Sequence, residues 1–191
     1  MKVGSRRLKI AWPNRSATMF STAASLPGFD SPIELLLACH DKVRHFAGLC
    51  SRLEQHAARH GADEEARAAA ASVLRYFQLA APLHHADEEE DLFPALRELD
   101  DAGLSASIDE LDAEHEYLGE LWCCVHPWLE AMSSGTSDPA PPELEAFSTL
   151  YPEHALREER EVYPAAVRLP HDRLAGIGQR MAQRRGARQG P

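Results

Sequence analysis

The feature that most constrains this chain is a stretch that occurs twice. PLHHADEEEDLFPALREL, beginning at Pro82, returns as PEHALREEREVYPAAVRL, beginning at Pro152. At a constant offset of 70, His84 pairs with His154, Glu88 with Glu158, Glu89 with Glu159, and Leu92–Phe93–Pro94 with Val162–Tyr163–Pro164. The upstream segments match too: LLACH, ending at His40, lies over LDAEH, ending at His115, at an offset of 75. Each half therefore carries a lone histidine and then Pro-x-His-x-x-x-Glu-Glu. A short acidic run is ordinarily a wet helix face. A wet face has no reason to be duplicated together with its histidines and prolines.

Both copies lie in helical patterns. Ser31–Pro32 offers a cap followed by a first-turn proline, and the apolar period from Ile33 predicts a helix to about residue 60, closed by Gly61. Asp63 opens a second helix, ending near DDAG at 100–103, and a third starts about Leu104, with Ile108, Leu111, His115, Leu118, Val125 and Leu129 on one stripe. Residues 133–142 read as a loop, and a fourth helix carries Leu144, Phe147, His154, Val162 and Ala165. Strand signals are absent. The pattern predicts an all-α, up-down-up-down antiparallel four-helix bundle over 31–168. An irregular arm over 1–30 precedes it, and a basic C-terminal tail or short helix over 169–191 follows.

Helical geometry turns the repeat into chemistry. Positions i and i+4 differ by about 40° around a helix, so His84 and Glu88 share a face, as do His154 and Glu158. Phe77 and Phe147 fall about 20° from the two histidines, which makes that face the core face. His40 and His115 fall among the apolar positions of their own helices. Four imidazoles and two carboxylates are thus directed at one bundle axis. Buried, unpaired carboxylates cost several kcal/mol each, and no basic residue occupies the same stripes. A pair of metal ions offsets the cost, and this donor set suits iron, while manganese or zinc would accept much of it.

Composition narrows the remaining classes. Residues 31–168 hold 28 of the 30 acidic groups but only 10 of the 20 basic ones, so this region repels nucleic acid and attracts cations. The basic ends read as flexible solubilising tails, with an unidentified protein partner as the alternative. No apolar run approaches the ~20 residues that span a bilayer, and the N-terminus lacks a signal-peptide pattern. Cys39, Cys50, Cys123 and Cys124 show no C-x-x-C spacing and read as reduced thiols of a cytoplasmic protein.

On these residues the chain resembles the hemerythrin-like HHE cation-binding family over about 31–168. The resemblance implies a non-haem diiron centre with His40, His84, Glu88, His115, His154 and Glu158 as metal ligands, and with Glu88 and Glu158 bridging. It implies O2, peroxide or nitric oxide as the small-molecule partner, and a protein that binds or senses such oxidants, or iron itself. A diiron enzyme acting on peroxide or nitric oxide is the alternative, and a structural bundle with a vestigial site is a third. Oxygen-carrying members place a second histidine one turn after the third-helix ligand. Here that position is Gly119, which would leave one metal short of an imidazole and weighs against reversible oxygen carriage.

The neighbours divide by facing. His85 has Ala155 as its repeat partner and reads as an outer-sphere or surface residue. His45 should face out, His126 should lie between helices, and His56, His60 and His171 should be solvent or terminal. Glu159 competes with Glu158 as the ligand, with repeat symmetry favouring Glu158. Tyr151 and Tyr163 read as core packing that is also placed to orient or gate a ligand. Cys39 points away from the His40 face. Pro82 and Pro152 either kink their helices around the site or mark the end of a preceding segment.

Overall fold

The computed structural model describes residues 27–187, and over this span the chain is helical, with no strand. Its α-helices are α1 (Pro32–His60), α2 (Glu64–Arg75), α3 (Ala81–Asp87), α4 (Phe93–Arg97), α5 (Ala102–Ser133), α6 (Glu143–Arg157) and α7 (His171–Arg184). Expectations for residues 1–26 and 188–191, including most of the irregular arm, lie outside the described residues.

Local signals set the helix ends. Gly61, at φ +64°, closes α1 with its N–H on the Ala57 carbonyl. The Asp63 and Asp101 carboxylates accept from the N–H groups of Ala66 and Leu104 at 2.9 and 3.2 Å, capping α2 and α5. Ser31 makes no such side-chain bond, so α1 starts on Pro32 alone.

The second helix of the sequence reading is not one regular α-helix. Wide π turns over Tyr76–Ala80 and Glu88–Leu92 separate α2, α3 and α4, and a third, Glu158–Val162, follows α6. The three share one cause. Each turn is followed by one residue whose N–H reaches back five positions (Ala81, Phe93, Tyr163), and then by Pro82, Pro94 or Pro164. Proline donates no N–H and its ring crowds the carbonyl four residues back, so the preceding turn widens. Pro82 therefore marks a segment boundary, whereas Pro152 sits inside an unbroken α6. Two of the π turns begin on Glu88 and Glu158, so the backbone irregularity is duplicated along with the motif. The copies then diverge: α4 follows the first, and a tighter 3-10 segment, Tyr163–Arg168, follows the second.

α1 packs against α2 and α6, and α5 packs against the same two. Two apolar clusters fill the interior. One includes Val43, Val73, Phe77, Leu118, Val125, Leu129 and Phe147, and the other includes Leu36, Leu92, Phe93, Leu96, Ile108, Leu111 and Val162. The motif residues occupy the layer between them.

Of the two expectations for the C-terminal segment, a short helix forms and a flexible tail does not. α7 is no solubilising tail, because Ile177 and Met181 are fully buried in the second cluster. Its basic groups are committed to the bundle: Arg184 meets Asp87 at 2.5 Å and Asp91 at 3.0 Å, Arg185 meets Asp87 at 2.5 Å, and Arg180 pairs with Asp91. Asp87 and Asp91 are buried, so α7 neutralises two interior carboxylates beside Glu88. Close docking also needs Gly178, where a Cβ would stand 1.8 Å from the Phe29 carbonyl oxygen.

Candidate metal centre

His40 comes from α1, His84 from α3, Glu88 from the π turn after it, His115 from α5, His154 from α6 and Glu158 from the π turn beyond. The fold brings all six together, and all six are buried. The imidazoles form two pairs, His40 with His84 and His115 with His154, at ring-centroid separations of 4.9 and 4.6 Å. Each carboxylate spans the pairs. Glu158 places Oε2 3.0 Å from His40 Nε2, and Oε1 3.2 and 3.5 Å from the Nε2 atoms of His154 and His115. Glu88 places Oε1 3.7 Å from His84 Nε2, and Oε2 3.7 Å from His115 Nε2.

These approaches are not hydrogen bonds. His115 Nε2, His154 Nε2, Glu88 Oε2 and both oxygens of Glu158 are buried with no hydrogen-bond partner. Such orphans each cost free energy that only a ligand returns, and the donor set is one that holds a cation. Subsets of the six, His40–His84–Glu88–Glu158 and His115–His154–Glu158, are close enough to share an ion. Burial and the neighbouring Glu158 charge push the Glu88 carboxyl well above its ordinary range. Burial acts on Glu158 too, but His154, His115 and His40 outweigh it and hold that group well below the range. Two carboxylates this close keep both charges only with a cation between them.

A second ring of acids orients the imidazoles. Nδ1 of His40 bonds Glu159 at 2.9 Å, Nδ1 of His115 bonds Glu89 at 2.7 Å, and Nδ1 of His154 bonds Glu114 at 2.9 Å. A carboxylate at Nδ1 fixes the tautomer and turns the Nε2 lone pair inward. His84 is the exception, with Nδ1 unpartnered. The second glutamate of each duplicated Glu-Glu thus serves the lone histidine of the opposite half. The repeat contained that signal, and the sequence reading missed it by weighing Glu159 only as a substitute ligand. Glu114 had no comparable signal. Arg44 clamps Glu159 at 2.6 Å, and Arg157 pairs with Glu114.

His45 is exposed, as are His60 and His171, and His126 lies between helices with its ring 2.6 Å from Gln78. His56 is tied to Asp63 at 3.0 Å. His85 is not a surface residue: its ring stacks on His115 at 3.9 Å, and Nε2 meets the Tyr151 hydroxyl at 2.9 Å. Tyr163 packs flat on His40, but its hydroxyl also enters the site, donating to Glu88 and lying 3.1 Å from His40 Nε2. Cys39 is half-buried and outside the clustered groups, and burial pushes its thiol up.

Gly119 is exposed, and a Cβ there would meet nothing within 4 Å. The buried arc of α5 is centred near Leu111 and Leu129, about 40° to one side of His115, and Gly119 lies about 40° to the other side. Between α5 and α6 a cavity of about 280 Å³, lined by Glu114, Leu118, Leu150, Glu153, His154 and Arg157, reaches the back of His154.

Residues 31–166 match the family model described as the hemerythrin HHE cation-binding domain. The chain belongs to the hemerythrin HHE cation-binding family. It is also 37% identical over 158 residues to an uncharacterized protein of Haemophilus influenzae, covering 82% of this chain and 91% of that one. The matched span ends before α7, so the arginine-bearing helix lies beyond the family's domain. No helix of this hemerythrin-family chain, among the described residues, is long and apolar enough to cross a membrane.

Proposed function

We propose that the protein holds two non-haem iron ions, one between His40 and His84 and the other between His115 and His154, with Glu88 and Glu158 bridging. The observation that carries this reading is the division of each carboxylate, one oxygen toward each imidazole pair, with the Glu158 oxygens and two imidazole nitrogens left without hydrogen bonds. A single ion would leave one pair of imidazoles unused. In this reading the α1, α2–α4, α5 and α6 rods alternate up and down as a four-helix bundle, and the reduced thiols are those of a cytoplasmic protein.

When bound, such an iron pair supplies an electron-rich centre for O2, peroxide or nitric oxide. The chain's own part is to hold the imidazoles in one tautomer through Glu159, Glu89 and Glu114, to exclude bulk water with the two apolar clusters, and to admit a small molecule beside His154. We read the protein as a binder or sensor of such oxidants. The Tyr151 hydroxyl, 2.9 Å from His85 Nε2 beside His115, favours a second reading, an enzyme acting on peroxide or nitric oxide, because reducing either consumes protons close to the metals.

Elemental analysis after iron supplementation tests the site: two ions per chain are expected, and well under one would leave only a structural bundle. Stopped-flow mixing of the reduced protein with oxygen and with peroxide separates the two functions. A long-lived oxygen adduct supports binding, and repeated peroxide consumption supports catalysis.

A further inference from the structure

We propose that the Tyr163 oxygen is itself a metal ligand on the His40–His84 side, which makes the two metal positions chemically unequal; this rests on the metal-binding reading above. Tyr163 is buried, and its hydroxyl lies 3.1 Å from His40 Nε2 while donating to Glu88. His40 gives its Nδ1–H to Glu159, and that tautomer presents a lone pair at Nε2. One phenolic oxygen with one proton therefore faces two acceptors. With that proton directed at Glu88 in a hydrogen bond, the oxygen and Nε2 of His40 meet lone pair to lone pair. A cation between them turns that repulsion into two bonds.

The spacing agrees. With metal–ligand bonds of about 2.1 Å, adjacent donors of an octahedral ion stand about 3.0 Å apart. Nε2 of His40 is 3.0 Å from Glu158 Oε2 and 3.1 Å from the Tyr163 oxygen. Those three atoms form two edges of such a shell, and Glu88 Oε1 adjoins the phenolic oxygen.

The repeat shows that the hydroxyl is not needed for packing. Phe93 occupies the matching position and lies against His115 at 6.0 Å and 12°, as Tyr163 lies against His40 at 5.2 Å and 14°. A phenyl ring satisfies the packing in one half. The hydroxyl of the other half is an addition, and burying a hydroxyl is costly unless its bonds are used. Binding exchanges the phenolic O–H bond for an O–metal bond. The proton leaves with the water shed by the entering ion, and no electron is transferred. Glu88 is then free to turn both oxygens to the cations. A phenolate is a hard donor, so the His40–His84 position becomes the more oxygen-rich one and favours ferric iron.

The test loads the full-length chain with ferrous iron, oxidises it, and records visible absorption and resonance Raman spectra, with elemental analysis on the same samples. A phenolate-to-iron charge-transfer band with enhanced tyrosine vibrations is expected. Tyr163→Phe should lose the band while keeping most of its iron, and Tyr151→Phe should keep it. Iron bound without a band in the wild type, or a band that survives in Tyr163→Phe, overturns the proposal and leaves the metal site standing. Tyr163 would then be a hydrogen-bond donor to Glu88 only. No bound iron overturns both. The Raman spectrum of the wild type decides the matter even if the variant folds poorly.

Discussion

The two halves of the site start from one motif and end with different surroundings. On the His40–His84 side the aromatic ring against the imidazole is Tyr163, with a hydroxyl at Glu88, and the orienting acid Glu159 is clamped by Arg44. On the His115–His154 side the matching ring is Phe93, and His85 with Tyr151 stands beside His115. Among the described residues, one cavity is lined by His154 and a larger one by Tyr163. Duplication thus supplied two carboxylates that each reach both imidazole pairs, and divergence around them set a tyrosine against one pair and a phenylalanine against the other.

Ranked by size, the first test removes what the halves share. Glu158→Ala should abolish loading on both sides, taking elemental analysis from two ions per chain to well under one. Retention of one ion would show that the halves are independent. Next come the single-side ligands: His84→Ala and His154→Ala should each keep about one ion, and only the ion left in His154→Ala should show the tyrosinate band. Loss of both ions in either variant would mean that the bridge needs both ends loaded.

The orienting acids should matter less. Glu159→Gln and Glu89→Gln are each expected to weaken iron binding by about 10- to 100-fold in a chelator competition. Glu159 should show the larger loss, because it is 22% exposed and held by Arg44 while Glu89 is 45% exposed. Equal losses would erase the distinction between the clamped acid and the more exposed one. Smaller still, Arg184→Ala should cost about 1–2 kcal/mol in urea unfolding, since Asp87 keeps Arg185 and the pair is partly solvated. His45→Ala, on the exposed face of α1, should leave iron content unchanged.

Much of this was legible in the chain because it follows from period and repetition. His40, His84, His115 and His154 fall on apolar stripes, and Gly61 and Asp63 mark their turn. What was not legible depends on contacts between distant segments. The repeat made Glu89 and Glu159 visible as a pair, but only packing shows that each reaches across to the other half's lone histidine. The π turns could be traced to Pro82, Pro94 and Pro164 only once the backbone was known, because Pro127 and Pro152 sit in α5 and α6 without one. Its repeat partner Ala155 left His85 as an outer-sphere or surface residue, and only the packing against His115 and Tyr151 decides for the first. The arginines of α7 looked like a tail because their partners, Asp87 and Asp91, lie about 90 residues upstream and were themselves hidden in an acidic run.

The central claim is that Glu88 and Glu158 tie two cations together between the imidazole pairs. Anomalous diffraction at the iron edge from crystals of the iron-loaded protein tests it most directly. The account predicts two separate peaks inside the bundle, each against one histidine pair and both touching the two glutamates. One peak, or none within reach of these six side chains, would contradict it.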